Sequence, residues 1–143
     1  MTYGSGSCSD PNCAAPHSRA ERHSKIRADI KRVGWTVLGV LGTPSIAYTI
    51  GMTERRWPEL VFTLDVPGTP KTLRQAQQLL NAVGKKLVDS GERPHHGQVV
   101  TLLDDDGREW KCLLEVRMNT TGLVQAKDFY PRRLSAMEVE LVD

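Results

Sequence analysis

The sequence predicts an α+β fold, an antiparallel or mixed sheet of about six strands packed on two main helices in the order αβββαββαβ. Three observations carry this. β-branched apolar runs cluster in groups of three and two instead of alternating strictly with helices. Two segments repeat apolar residues at spacings of three and four, with start and stop signals at their ends. A run of aspartates with a glycine separates two strand-like runs, as in a hairpin. Helices on one side of the sheet are the economical packing for such an order.

Ser18 with Glu21 three residues on has the form of a capping box, and Ile26, Ile30 and Val33 follow at helical spacing, so the first helix runs from about Ser18 to Val33 and ends at Gly34. Trp35 to Leu41, interrupted by Gly39, and Ile46 to Gly51 then read as a hairpin around Gly42 and Pro44. The evenly apolar run Glu59 to Leu64 predicts a third strand covered on both faces. Leu73, Ala76, Leu80, Val83 and Leu87 mark the second helix, from about Pro70 to Ser90. Thr69 or Thr72 can cap its start and Gly91 can stop it. Gln98 to Leu103 and Trp110 to Arg117 flank the turn Asp104-Asp105-Asp106-Gly107 as antiparallel neighbours. The spacing of those aspartates lacks the alternating ligands of a calcium loop. A short helix over Leu123 to Tyr130 ends before Pro131, and Met137 to Val142 has the composition of a final strand.

The length of 143 residues fits one domain, expected over residues 18–143, preceded by a Cys/His-rich arm over residues 1–17. That arm is rich in Gly, Ser, Pro, Asp and Asn and has little to bury, so order in it needs a cause. Hydrophobic residues at 39% and charged residues at 25% match average globular usage and exclude a wholly disordered chain. No apolar run of about 18 residues occurs, which argues against a membrane span, and Met1 to Ser9 lacks the apolar stretch of a secretory signal. The cytoplasm is the expected location. The net charge of +2 arises from interspersed residues. Acidic neighbours dilute the basic pairs Arg55-Arg56, Lys85-Lys86 and Arg132-Arg133, which argues against nucleic-acid binding.

Cys8, Cys13, His17 and His23 place four soft or borderline donors within sixteen residues, the set that closes a structural zinc tetrahedron. Bound zinc would order the arm, because its binding free energy becomes folding free energy. A free arm and a Cys8–Cys13 disulfide are the competing readings, since the cysteine gap is wider than a zinc knuckle and six residues separate the histidines. Cys112 lies in an apolar run and is expected as a buried, reduced thiol.

Tyr48, Thr49, Glu54 and Glu59 are polar groups near strand ends, where acid, base or hydroxyl functions would gather in a pocket. The plainer reading pairs Tyr48 and Thr49 across strands and leaves the glutamates solvated. His95 and His96 between Pro94 and Gly97 sit in a loop that suits a general base, acting beside Glu54 or Glu59 if a catalytic centre exists. No nucleophile with a partnered base is identifiable from spacing.

Gly34-Trp35, Ala47-Tyr48-Thr49-Ile50-Gly51-Met52-Thr53-Glu54 and Pro58-Glu59-Leu60, in that order, resemble domain of unknown function family 4262, small proteins of bacteria and their phages. Leu79-Leu80-Asn81, Ala126 to Tyr130 and Val139 to Asp143 extend the similarity over roughly residues 25 to 143. Three features depart from the family pattern. Trp57 stands where the family commonly has a histidine before the Pro-Glu pair, so no site role is inherited there. The end stops at Val142-Asp143 where the family segment continues through Trp-Pro-Asp, and four residues separate Cys8 from Cys13 where the family often has closer cysteines.

The resemblance implies a fold relationship, not an activity. The absence of a strong catalytic pattern predicts a non-enzymatic binding or accessory protein acting on a host or cellular protein, with the arm as a metal-ordered contact surface. The alternative is a small hydrolase or transferase using Tyr48, Glu54, Glu59 and His95 or His96. An open sheet edge would offer a route to homodimers.

Overall fold

A computed structural model describes residues 18–64, 68–120, 122–132 and 134–142. Cys8, Cys13, His17 and Arg133 lie outside the described residues.

Helix α1 spans Arg19–Val33. The Ser18 hydroxyl accepts the Glu21 N–H at 3.0 Å while the Glu21 carboxylate reaches back to the Ser18 N–H, and left-handed Gly34 closes the helix on the Ile30 carbonyl. Of its three periodic apolar residues Ile26 is buried, Ile30 is half-buried and Val33 is exposed, so the helix rests on the sheet mainly through its middle. Strands β1 (Thr36–Val40) and β2 (Ile46–Ile50) form the expected hairpin, with Leu38 opposite Tyr48. A one-turn 3-10 helix, Met52–Arg55, then leads to β3 (Glu59–Thr63). The sequence reading did not separate that turn from its flanking loop.

Helix α2 spans Pro70–Ser90, with Thr69 and Thr72 exchanging caps at one end and left-handed Gly91 at the other. Strands β4 (Val99–Leu103) and β5 (Glu109–Arg117) form the second hairpin. Its turn is held by the Asp104 carboxylate, which accepts the N–H groups of Asp106 and Arg108 and the Trp110 indole N–H, each at 2.9 Å. Helix α3 (Val124–Phe129) and strand β6 (Ala136–Val142) follow.

The six strands form one mixed sheet in the order β1-β2-β3-β6-β5-β4. All neighbours are antiparallel except β3 and β6, which run parallel with Leu60 beside Met137. Contrary to the expectation of helices on one side, helices cover both faces. On one face Leu80, Val83 and Leu87 of α2 pack on Ala47, Leu60, Cys112, Leu114 and Val139. On the other, Ile26 of α1 with Leu123 and Ala126 packs on Ile46, Tyr48, Ile50 and Val61. The physical reason lies in β2, whose five residues are all buried: a strand apolar on both faces needs a cover on both. Burying each large aliphatic side chain in these two layers contributes about 1.5–3 kcal/mol. Beyond α3, that second face carries a polar bridge instead. Arg117 of β5 donates to Glu138 of β6 at 2.6 Å, and Glu138 accepts the Thr63 N–H of β3 at 2.9 Å. No described helix is long and apolar enough to cross a membrane.

Candidate functional site

The polar residues of the β2–β3 connection converge on one buried carboxylate. Glu59, at the start of β3, is 0% exposed. Its Oε1 accepts the Thr49 hydroxyl at 2.8 Å and the Met52 N–H at 3.1 Å, and its Oε2 accepts the Gly51 N–H at 3.2 Å, the Thr53 N–H at 2.8 Å and the Thr53 hydroxyl. Thr49 in turn accepts the Leu60 N–H at 2.8 Å. Glu59 therefore satisfies the free donors at the start of the Met52–Arg55 turn from inside the protein, the role an N-cap side chain plays from outside. Burial lifts its carboxyl above the ordinary range, and the Thr53, Thr49 and Gly51 donors pull against that lift. The expectation that both glutamates are solvated is corrected for Glu59, while Glu54 is exposed.

Gly51 allows this arrangement. Its φ is +134°, and a Cβ there would lie 2.7 Å from both the Gly34 carbonyl oxygen and the Trp35 Cα. The Trp35 indole then donates to Asn81 of α2 at 3.0 Å, tying the same corner to the opposite layer.

Tyr48 pairs across strands as expected, with Leu38 on one side and Val61 on the other, but its hydroxyl serves α3. Its hydroxyl accepts the Gln125 N–H at 3.1 Å and so caps the first turn of α3, which has no side-chain cap of its own. Burial raises the phenol above its ordinary range, against the Gln125 and Ala126 backbone donors. By capping α3, Tyr48 sets the position of Asp128, Phe129 and Tyr130.

Two clefts flank the Met52–Arg55 turn. One, of about 400 Å³, is lined by His23, Arg27 and Lys31 of α1, Glu54, Phe129 and Tyr130. His23 Nε2 lies 2.9 Å from the Asp128 carboxylate, which Arg19 also contacts at 3.0 Å, and the imidazole meets the Phe129 ring edge-on at 5.0 Å. The bond from His23, with Arg19 beside it, holds the Asp128 carboxyl below the usual range. Arg27 lies over the Phe129 ring at 5.7 Å. Burial and the neighbouring Glu54 and Glu59 carboxylates push the Tyr130 phenol far up, so it stays protonated, and its buried hydroxyl has no hydrogen-bond partner among the described residues. The second cleft, of about 390 Å³, is lined by Thr53, Arg56, Trp57 and Ser135, with Arg55 over the Trp57 ring at 5.6 Å.

Of the sequence candidates, then, Glu54 and His23 share a cleft, Glu59 lies buried beneath the turn, and Tyr48 is sealed under α3. His95 and His96 lie in the α2–β4 loop, where His96 Nδ1 accepts the Val116 N–H at 3.0 Å, and neither lines the two clefts. Tyr130, Phe129 and Asp128 were not singled out by sequence reasoning. Only the aromatic pair before Pro131 signals them, because their approach to α1 depends on a contact more than a hundred positions long in sequence. No group of three or more metal-ligating side chains occurs among the described residues.

These features define a small two-sided α+β domain with a buried carboxylate beneath the Met52–Arg55 turn and a cleft beside that turn lined by His23, Glu54 and Tyr130. Residues 29–143 match the family model described as Domain of unknown function (DUF4262), and the chain belongs to that family. No curated protein and no solved structure matches it. The segments that carried the sequence resemblance, Gly34-Trp35, Ala47 to Glu54, Pro58 to Leu60 and Leu79 to Asn81, meet around Glu59 and Trp35.

Proposed function

We propose that this protein is a non-enzymatic binding or accessory protein that engages a cellular protein through the corner built on the Met52–Arg55 turn. One observation carries this reading: Thr49, Thr53, Glu59 and Tyr48, the polar groups of the β2–β3 segment, are engaged in internal hydrogen bonds, while arginines and aromatic rings surround the two clefts. Thr49, Thr53 and Glu59 bond one another, and Tyr48 caps α3. Cys112 is buried in the core with its thiol pushed up to about 11, far from an activated nucleophile. Arg27, Arg55, Arg56, Trp57, Phe129 and Tyr130 are residue types that anchor protein interfaces. The test is cross-linked capture from a bacterial lysate, followed by a binding measurement with the purified partner. Arg27→Glu with Arg55→Glu should lose the partner, and Lys85→Glu on α2 should keep it. A partner held equally by all three proteins would place binding elsewhere.

In this proposal the Cys8, Cys13, His17 and His23 set forms a structural zinc site next to the corner. His23 supports it, because a carboxylate on one imidazole nitrogen orients a ligating histidine, and Asp128 holds Nε2. The metal would then take Nδ1. Zinc content near one equivalent, lost in Cys8→Ser with Cys13→Ser, is the expected result; no metal in either protein ends this part of the proposal.

A second reading, a small hydrolase or transferase, draws support from Glu54, His23 and Tyr130 sharing one cleft. It requires a turnover on model ester, amide or phosphoryl substrates that both His23→Ala and Glu54→Gln abolish.

A further inference from the structure

The sheet ends differently on its two sides. Along β1, grooves formed with α1 and α2 run beside the strand, and the Gln77 side chain donates to the Val37 carbonyl at 3.3 Å. Along β4, no strand among the described residues pairs with the outer side. The Leu114 N–H donates to the Gln98 carbonyl and the Asp104 N–H to the Arg108 carbonyl, so the even-numbered residues bond β5. By antiparallel alternation Val99, Thr101 and Leu103 turn their N–H and C=O groups outward. Natural sheet edges are usually blunted by lysine, proline or a bulge. Val99–Leu103 contains no charge and no proline, and Val99 and Leu103 are 52% and 70% exposed.

We infer that β4 is a self-association edge: two copies pair their β4 strands antiparallel about a two-fold axis at Thr101, joining two sheets into one. The register follows from the outward groups. With Thr101 opposite Thr101, Val99 of each copy faces Leu103 of the other, and all three outward residues exchange N–H and C=O across the seam. The exposed Val99 and Leu103 side chains lie on the same sheet face as Leu113, the cross-strand neighbour of Val99, so an apolar cluster crosses the seam.

Charge selects a second copy in this orientation. One end of β4 leads into Asp104-Asp105-Asp106, and the other follows Glu92, Arg93, His95 and His96, where Glu92 balances Arg93. Antiparallel pairing sets the acidic turn of each copy beside the charge-balanced, histidine-bearing loop of the other and keeps the two acidic turns apart, whereas parallel pairing stacks them. The Asp104 carboxylate is engaged within its own hairpin, which leaves Asp105 and Asp106 to face across.

Sedimentation of the full chain over a concentration series from about 1 to 100 micromolar tests this. The wild type is expected at twice the chain mass at the upper end. Val99→Lys with Leu103→Lys should sediment at the single-chain mass with an unchanged circular dichroism spectrum. Thr101→Pro should do the same, because an edge strand tolerates proline while losing its outward N–H. Val40→Lys on the β1 edge should remain dimeric. A wild type that stays at the single-chain mass at every concentration overturns the inference, since β4 then serves a foreign strand or none. A dimer that survives the double lysine variant, or that Val40→Lys dissolves, overturns it as well.

Discussion

Thr53 holds Glu59 through both its backbone and its side chain: the Thr53 N–H donates to Glu59 Oε2 at 2.8 Å and the Thr53 hydroxyl donates to the same oxygen. A buried carboxylate surrounded by donors alone has no isosteric neutral substitute, because an amide turns its NH₂ towards other N–H groups. Glu59→Gln is therefore expected to lower unfolding stability by about 2–4 kcal/mol, read as a shift of the urea midpoint at constant slope. Thr49→Val, which removes one donor to Glu59 and the acceptor of the Leu60 N–H, should cost about 1–3 kcal/mol. A Glu59→Gln protein as stable as the wild type would contradict this account of the corner.

Gly51→Ala tests the same corner from the backbone side. The added carbon meets main-chain atoms of Gly34 and Trp35, which cannot swing aside as a side-chain tip can, and the left-handed φ adds strain. A loss of at least about 2 kcal/mol is expected. Thermal unfolding of the purified variant provides the check.

Asp128 links acid stability to the packing of α1 on α3. Its carboxyl is held below the usual range by His23 and then Arg19. A folded-state value below the unfolded one gives stability that is present above the ordinary carboxylate range and lost as pH falls through the lowered value. Asp128→Asn should accordingly flatten the decline of the melting temperature below about pH 4. An unchanged acid limb would show that the His23–Asp128 contact contributes nothing to folding.

Cys112 is buried, with its thiol pushed up to about 11 by desolvation. In a Cys8→Ser, Cys13→Ser background, where it is the remaining cysteine, it should resist a disulfide reagent at pH 8 and react at once in denaturant. Rapid labelling of the native protein would mean that the β4–β5 side of the core opens readily.

Much of the fold was legible because its elements carry local signals. The Ser18–Glu21 box, Gly34, the Thr69–Pro70 start and Gly91 fix the ends of both main helices within a residue, and Asp104 to Gly107 fix a hairpin. What was not legible depends on which strands meet. The parallel pairing of β3 with β6 joins segments that share no turn, and apolar periodicity is silent about neighbours. The site suffered from the same limit. Glu59 sits in a run read as covered on both faces, and a carboxylate inside such a strand signals an internal partner set. That signal was available beside Thr49 and Thr53, yet the donors that settle its role are mostly backbone groups, which no residue type announces. Tyr130 and His23 meet only through tertiary packing of α3 on α1.

Strand β6 lies between β3 and β5, although both precede it in the chain. The two hairpins therefore share no ladder of their own, and the sheet remains in two pieces until residues 136–142 insert between them. Such an order makes the slow step of folding a non-local one, since β5 reaches β6 through the connection from Arg117 to Ala136, but β3 meets β6 only across more than seventy residues. It also makes unfolding indivisible. Withdrawal of β6 uncovers the edges of β3 and β5 together and breaks the Arg117–Glu138 bridge with them. Hydrogen exchange should then find the amides of β3, β5 and β6 opening as one unit, with the outer strands fraying at lower cost.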